Sequence, residues 1–140
     1  MDPGGCLLLC LFAAEAAAGA IIGILATGDL EAVSSAVAEE YIDHQGLGDV
    51  EIRGRHGFRR VVEAVHQSSD VRITIEDLVA AENRAALRPR WHGINHAGQM
   101  ITRETLEWLR FADGRLIEHW HVSHSHPSLL CQAAPNGILG

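Results

Sequence analysis

The segment MITRETLEWLRFADGRLIEHWHVSH, residues 100–124, decides the fold of this chain. Apolar and polar residues alternate along both of its arms, which predicts two β-strands, and the Asp-Gly pair at 113–114 predicts a tight hairpin turn between them. Because successive side chains of a strand point to opposite faces, His119 and His121 share one face and Trp120 lies on the other. The hairpin therefore carries two imidazoles toward the same side of a sheet.

The remainder of the chain predicts helices first and strands afterwards. Apolar residues favour a helix over 6–26, and their spacing predicts a second helix after Asp29 and a third over 55–69. The hydrophobic period then changes from that of a helix to that of a strand, and strands are predicted over 71–81 and 85–98. Helices followed by a meander of antiparallel strands indicate an α+β fold, in which a curved sheet around the helices would leave a conical pocket.

Several local signals refine this prediction. Gly28 is expected to end the first helix and Asp29 to cap the second. Residues 41–45 form a short extended piece and 46–54 a loop, while Pro89 predicts an edge strand or a bulge. The predicted apolar faces are Leu30, Val33, Ala36 and Val37 in the second helix, Phe58, Val61, Val62 and Val65 in the third, and Val71, Ile73 and Ile75 in the first long strand.

Length and composition limit the possible functions. The 140 residues are expected to form one domain, 1–140, with an extension at 1–13 and a tail at 127–140. The net charge is −7, and nucleic-acid binding requires a basic surface that such an acidic chain lacks. All eleven basic residues are arginine, so catalysis through a lysine Schiff base is excluded.

The cysteines and the N-terminal segment bear on the compartment. Cys6, Cys10 and Cys131 are an odd number without metal-type spacing, so we expect a reducing cytoplasm and no disulfide framework. The apolar stretch 6–26 is similar to a secretory signal, but no positive charge precedes it and Glu15 interrupts it. We therefore expect a helix packed on the domain and no membrane contact.

Four segments together resemble a known family. They are GDLEAVSSAVAEEYIDHQG (28–46), GRHGFRRVVEAV (54–65), VRITIEDLVAAENRAALRPRWHG (71–93) and LRFADGRLIEHWHV (109–122). In this order they are similar to the successive signatures of the SnoaL-like polyketide cyclases, and the similarity covers most of the chain. These cyclases belong to the nuclear transport factor 2-like superfamily, which includes ketosteroid isomerase and limonene epoxide hydrolase.

The resemblance implies a fold and a function. The fold is a conical barrel of a curved, mostly antiparallel sheet wrapped around N-terminal helices. A deep apolar pocket would take a small hydrophobic substrate, a homodimer would form through the outer sheet face, and neither a cofactor nor a metal would be needed. Because these enzymes close rings by an intramolecular aldol reaction, the expected function is a cofactor-free cyclase, of lyase or isomerase type, acting on a polyketide-type intermediate.

His121 is the leading catalytic candidate. It stands where the family commonly has an acidic residue in the pattern E-H-W-D, a position that matches the acid/base aspartate of the cyclases. Histidine can take a proton from an activated carbon or give one to a carbonyl oxygen near neutral pH. Asp43 and His119 are further catalytic candidates. Plainer interpretations remain open: His121 lines the pocket by hydrogen bonding alone, and Asp43 serves in a helix-end hydrogen bond or a surface ion pair.

Other residues are candidates for substrate binding. Tyr41 and Asp43 have the spacing at which the epoxide hydrolase holds its water with a tyrosine and an amide, and the tyrosine hydroxyl could donate to a carbonyl oxygen. Arg90 and His92 resemble the Arg-x-Asp pair of that enzyme, although a solvated arginine is the simpler interpretation. The full set of substrate-binding candidates is Tyr41, His44, Phe58, Arg90, Trp91, His92, His96, Trp108 and Trp120.

Two other functions and one other kind of site stay open. An epoxide hydrolase or epoxide-opening enzyme would use His121 or Asp43 to activate water, whereas a non-catalytic dimeric module would only bind a small molecule. His119 and His121 could also supply two metal ligands, with Asp43 or His96 as the third. The metal interpretation is the less favoured, because such histidine pairs are common on strands that bind no metal.

Overall fold

The computed structural model describes residues 3–48 and 50–125, and in it helices precede strands. In chain order the elements are helix α1 (Pro3–Thr27), a 3-10 turn (Leu30–Ala32) that continues into helix α2 (Val33–Ala36), strands β1 (Val37–Leu47) and β2 (Val50–Arg53), helix α3 (Gly54–Val65), and strands β3 (Ser69–Ala81), β4 (Arg84–Ile94), β5 (Met100–Ala112) and β6 (Arg115–Ser125). Helix α1 runs through most of the predicted N-terminal extension. The predicted tail at 127–140, with Cys131, lies outside the described residues.

Six strands form one sheet within these residues, in the order β2-β1-β6-β5-β4-β3. β1 and β6 run parallel, and the other neighbouring strands are antiparallel. The sheet curves over the helices but stays open, with β2 and β3 at its edges. The predicted α+β class and the curved, mostly antiparallel sheet around N-terminal helices are thus confirmed, although the sheet does not close into a barrel.

The second helix is much shorter than predicted. It ends at Ala36, and Val37 begins β1 instead of extending the apolar stripe of the helix. β1 pairs with β2 on one side and with β6 on the other, and these tertiary pairings override the local preference for helix. Gly28 ends α1 as predicted, with φ 77°. Asp29 occupies the N-cap position, but its side chain makes no capping hydrogen bond with the described residues.

The predicted loop at 46–54 contains a strand. Gly46 has φ 51°, and a Cβ atom at this position would lie 1.8 Å from the backbone oxygen of Val50. Only glycine permits so close a return of the chain, which lets β2 pair with β1. β2 has four residues and buries Ile52 alone, so its alternation is too short to be recognised in the sequence.

Pro89 lies on an interior strand, so its predicted edge position is wrong. The alternative prediction, a bulge, is confirmed: the register of β3 against β4 shifts between Ile75 and Asp77, opposite Pro89. The shift also ends the predicted apolar face of β3. Ile73 packs against the core, whereas Ile75 is exposed.

The core lies between the helices and the sheet face that they cover, which we call the inner face. The predicted stripe of α3 is confirmed, since Phe58 and Val62 are buried and Val61 and Val65 are partly buried. Helix α1 packs on the sheet as expected, and no helix in the described part of the chain is long and apolar enough to cross a bilayer. The buried core residues are Ala18, Ile21, Ile22, Ile24, Leu25, Val33, Val37, Tyr41, Phe58, Val62, Ala85, Leu87, Leu109, Phe111 and Leu116.

Val37 offers a test of this packing, because β1 begins with a buried valine and β2 with an exposed one. Val37 is fully buried, whereas Val50 is 64% exposed. We expect Val37→Ala to lower the free energy of unfolding by about 2 kcal/mol, through lost burial and the cavity left behind. The matched change Val50→Ala should cost less than about 0.5 kcal/mol. Urea unfolding of the two variants measures both values, and equal losses would contradict the position of Val37 in the core.

Candidate active site

Polar side chains gather at one place on the inner face. This buried polar cluster consists of Tyr41, Asp43, Glu107, His119 and His121. The neighbouring strands β1, β6 and β5 supply them, with Asp43 opposite His119 and Glu107 opposite His121. Tyr41 packs edge-on against Phe58 of α3, with ring centroids 5.6 Å apart. The cluster therefore lies beneath a helix, on the side of the sheet that holds the core.

His119 is at the centre of the cluster. Its Nε2–H donates to the Glu107 carboxylate, while its Nδ1 lies 3.5 Å from Asp43 Oδ2 and 3.4 Å from Tyr41 Oη. Asp43 and Glu107 are only 2% and 8% exposed. Charged carboxylates so deeply buried require a partner, and the imidazole between them contacts both.

The electrostatics of the cluster favour its charged form. Burial acts to lower the pKa of His119, but its hydrogen bonds to Asp43 and Glu107 outweigh burial and raise that pKa to about 9. Burial acts to raise the pKa of each carboxyl, yet the hydrogen bond to His119 lowers it below the usual range in both. Burial and the charge of Asp43 raise the pKa of Tyr41, so its phenol keeps its proton and can donate it in a hydrogen bond.

A chain of hydrogen bonds supports the Glu107 side of the cluster. The indole N–H of Trp91 donates to Thr105 Oγ1 over 2.9 Å, and the Thr105 hydroxyl donates to Glu107 Oε1 over 2.6 Å. Glu107 in turn accepts from His119 through its other oxygen. The orientation of the imidazole is thus coupled to a tryptophan on β4, two strands away.

Backbone groups support the Asp43 side. The amides of Gln45 and Gly46 donate to Asp43 Oδ1 over 3.2 and 2.8 Å, which fixes the carboxylate at the end of β1. The side-chain oxygen of Gln45 accepts the backbone N–H of His121 over 2.8 Å. Residues 45 and 46 of β1 therefore position both Asp43 and the strand that carries His121.

His121 completes the cluster from the neighbouring position on β6. Its ring centroid lies 5.2 Å from that of His119, and its Nδ1 lies 3.8 Å from Asp43 Oδ1. This Nδ1 is buried and has no hydrogen-bond partner among the described residues. Asp43, His119 and His121 hold their ligand atoms within 4.8 Å of one another, and within residues 3–48 and 50–125 these three side chains form a group that could hold a metal ion.

Two of the hollows in the described structure bear on the site. A mouth cleft of about 210 Å³ opens at the end of α3, beside the ends of β1 and β4 and the starts of β3 and β5. Trp91 lines it and separates it from the cluster, whose five members are not among its described lining residues. An outer groove of about 480 Å³ lies on the opposite, uncovered face of the sheet. We call this face the outer face; the residues that line the groove include Val79, Leu106, Trp108, Trp120 and Val122. Glu107 and His121 of the cluster also border this groove.

The structure brings together some of the predicted site residues. Tyr41, Asp43, His119 and His121 meet in the cluster, and Phe58 packs directly on Tyr41. Trp91 and His92 line the mouth cleft instead of touching the histidines.

Other predicted residues lie apart from the cluster. His44 stacks on Trp120, 4.6 Å between ring centroids, and pairs with Glu118, while Trp108 is the cross-strand neighbour of Trp120 in the outer groove. Arg90 pairs with Glu76 and Glu104. His96 lies in the turn between β4 and β5.

Sequence reasoning missed three residues of the site: Thr105, Glu107 and Gln45. In the stretch TLEWL, residues 105–109, alternation places Glu107 on the same face as the apolar Leu109. A carboxylate at an inward position of a strand is the signal that could have identified it. Gln45 could not be found this way, because its role depends on the contact of β1 with β6.

The pKa values predict a pH dependence of stability for the metal-free protein. The folded chain keeps the His119 proton up to about pH 9, whereas the unfolded chain releases it near pH 6.5. The stability contributed by His119 is therefore complete below pH 6.5 and is lost as the pH rises through about 9. Urea unfolding at a series of pH values, with a chelator present, measures this decline.

Two variants isolate the contribution of His119. His119→Gln should remove the decline in this window, and His124→Gln, which alters an exposed histidine of the same strand, should retain it. A wild-type decline that persists unchanged in His119→Gln would contradict the assignment.

Comparisons of sequence and structure place the chain among known proteins. The sequence matches the SnoaL-like domain family over residues 19–119, a span that contains every cluster member except His121. No curated protein matches the sequence.

Solved structures share the fold at low sequence identity. AclR of Streptomyces galilaeus, a proposed hydroxylase, has 20% identity and a TM-score of 0.73 over 92% of this chain and 86% of its own. IdmH of Streptomyces antibioticus, a proposed polyketide cyclase, has 22% identity and a TM-score of 0.68 over 78% of this chain and 90% of its own. An M. tuberculosis epoxide hydrolase of the LEH-like type has 15% identity and a TM-score of 0.69 over 81% of this chain and 84% of its own. By its sequence match and its fold, this chain belongs to the SnoaL-like domain family.

Proposed function

We propose that this protein is a cofactor-free cyclase that closes a ring in a small, hydrophobic, polyketide-type intermediate by acid/base catalysis. The observation that carries the proposal is the buried polar cluster: proton donors and acceptors gathered on the inner face of an otherwise apolar core. The family supports it, and so does the likeness in fold to IdmH, a proposed polyketide cyclase. Enzymes of acid/base type need such groups in a site that excludes water.

An aldol closure assigns a role to each group of the cluster. His121 takes a proton from the carbon beside a substrate carbonyl, because its Nδ1 has no competing partner among the described residues. Tyr41, whose raised pKa keeps the phenol protonated, donates a hydrogen bond to the enolate oxygen. The enolate carbon bonds to a second carbonyl carbon, and the alkoxide oxygen formed on that carbon takes the proton back from His121. The step leaves the enzyme unchanged and consumes no other reactant.

The remaining members hold this arrangement in place. Asp43 lies beside both imidazoles, and His119, held between Asp43 and Glu107, positions the carboxylate that faces His121. We propose that substrate enters by the mouth cleft, where Trp91 and His92 form the wall and Trp91 stands between the cleft and the cluster. Flat aromatic and apolar walls favour a ring-forming chain folded into one conformation, so positioning adds to the chemical catalysis.

Epoxide opening is the second candidate function. The Tyr41-x-Asp43 spacing favours it, and so does the likeness in fold to the LEH-like epoxide hydrolase. In this reaction Asp43 or His121 activates a water molecule that attacks the epoxide carbon. Solvent labelled with ¹⁸O distinguishes the two, because hydrolysis transfers solvent oxygen into the new hydroxyl and aldol closure forms only a carbon–carbon bond.

The active form in this proposal is a homodimer in which a second copy of the chain covers the outer face. Val79, Leu106, Trp108 and Val122 are between 45% and 64% exposed there. Contiguous exposed apolar surface of this kind marks interaction sites on soluble proteins.

Loss of the His121 imidazole tests the acid/base proposal. We expect His121→Ala to lower product formation by about 10²–10⁴, the usual range for one general acid/base group. A host strain that lacks the protein should accumulate an uncyclised intermediate, and it should still do so when complemented with His121→Ala. His124→Ala, an exposed histidine on the same strand, should restore wild-type product levels.

The same strain separates the three functions. Unchanged turnover in a folded His121→Ala protein would refute the mechanism. Accumulation of an epoxide would favour hydrolysis, and tight ligand binding without any product in the wild type would favour a non-catalytic binding module.

Charge on the outer face tests the dimer. Leu106→Arg should convert a dimer into a monomer, because a buried unpaired guanidinium opposes association. Val50→Arg changes a valine that is exposed on β2, away from this face, and should leave the dimer intact. Light scattering coupled to gel filtration measures the mass, and a monomeric wild type would refute the proposed assembly.

A further inference from the structure

Three side chains of the buried polar cluster bring metal-type ligand atoms to one point. Asp43, His119 and His121 each offer an oxygen or a ring nitrogen within 4.8 Å of the other two. His119 Nδ1 lies 3.5 Å from Asp43 Oδ2, and His121 Nδ1 lies 3.8 Å from Asp43 Oδ1. Both separations are longer than the value of about 2.9 Å that is typical of a hydrogen bond between nitrogen and oxygen. The separations are closer to the value of about 3.3 Å that follows for neighbouring ligands of a tetrahedral zinc ion bound at about 2.0–2.1 Å.

His121 Nδ1 is the second observation. The atom is buried and has no hydrogen-bond partner among the described residues, although buried polar atoms are almost always paired. It lies on the same face as His119 and next to Asp43. A metal ion between these three residues would supply the missing partner. Tyr41 Oη, 3.4 Å from His119 Nδ1, would stand beside the ion as a further oxygen.

The surroundings of His119 resemble the second layer of a metal site. A metal-binding histidine commonly donates its other N–H to a carboxylate, which fixes the ring and makes the ligand nitrogen more basic. His119 does so: Nε2–H donates to Glu107, while Nδ1 faces Asp43. Glu107 is itself held by the hydroxyl of Thr105. The ligand nitrogen is therefore already oriented before any ion binds.

Charge provides the third argument. Asp43 and Glu107 bring two negative charges to a buried place, and among the described residues their ion-pairing partners are histidines alone. A single imidazolium compensates one of the two charges. A divalent cation with both imidazoles neutral would compensate both, and buried charge is stable only when it is compensated.

We infer that Asp43, His119 and His121 bind one divalent transition-metal ion of the zinc type. Two ring nitrogens and one carboxylate suit zinc and its neighbours, whereas Mg²⁺ and Ca²⁺ prefer sites built of oxygen. The inference stands on the ligand arrangement and does not depend on the proposed cyclisation. A bound ion would occupy the nitrogen that takes the substrate proton, so zinc should inhibit the cyclase.

The test uses the full chain, freed of metal by a chelator and then titrated. Calorimetry with Zn²⁺ should give one ion per chain, and Co²⁺ should give the visible absorption of a tetrahedral site. Excess Mg²⁺ should not displace either ion. Zn²⁺ should also raise the unfolding temperature, because it binds the folded chain preferentially.

Four variants identify the site. Removing a ligand in His121→Ala or Asp43→Asn should weaken Zn²⁺ binding at least 100-fold, and Glu107→Gln should weaken it about 10- to 100-fold, as for other outer-layer carboxylates. His124→Ala alters an exposed histidine outside the cluster and should bind as the wild type does. Urea unfolding in chelator shows whether each variant is folded. If Asp43→Asn does not fold, His121→Ala decides the test, because His121 lies at the partly exposed end of the cluster.

Two results would overturn the inference. One is the absence of stoichiometric Zn²⁺ binding to the wild type. The other is binding that survives in His121→Ala but is lost in His124→Ala, which would place an adventitious ion at the strand end. Because zinc binding is measured without substrate, an absence of binding would refute the metal site and leave the cyclase proposal standing. Zinc binding by a protein that forms no product would support the metal site and refute the cyclase proposal.

Discussion

The ion pair of one imidazole with two buried carboxylates is the interaction on which this structure depends. His119 joins Asp43 of β1 to Glu107 of β5, and it does so across β6, where the sheet has its parallel pair of strands. Two carboxylates in an apolar interior could not stay charged without a partner, and removing the imidazole would leave an uncompensated pair. The same interaction joins three strands and holds Asp43, the carboxylate that faces His121.

A bulge makes this interaction possible. Between β5 and β6 the register shifts, so that Phe111 pairs with Leu116 but Arg110 pairs with Glu118. Ile117 is the extra residue, and it changes which positions of β6 face inward. Before the bulge the even-numbered Leu116 points inward and is buried in the core. After it the odd-numbered His119 points inward and joins the cluster. A one-residue difference in register would have sent the histidines to the outer face.

The two faces of β6 consequently carry different kinds of residue. Inward positions carry imidazoles among buried carboxylates, and outward positions carry Trp120 and Val122 along the apolar outer groove. The proposed catalytic groups and the proposed dimer surface therefore lie on opposite faces of β6. This separation also explains why His44 and Trp108, which resemble pocket residues in the sequence, lie on the face without the cluster.

The sequence by itself determined the α+β class, the order of helices before strands, the hairpin at 113–114 and the membership of Tyr41, Asp43, His119 and His121 among the site candidates. These follow from periodicity, turn chemistry and local pattern, which act over a few neighbouring residues. Only the tertiary structure decided that Val37 begins a strand, that Pro89 lies inside the sheet, and that Gln45 belongs to the candidate site. Such features depend on which strands become neighbours and on where a bulge shifts their register, and contacts between residues far apart in the chain are not written in any local pattern.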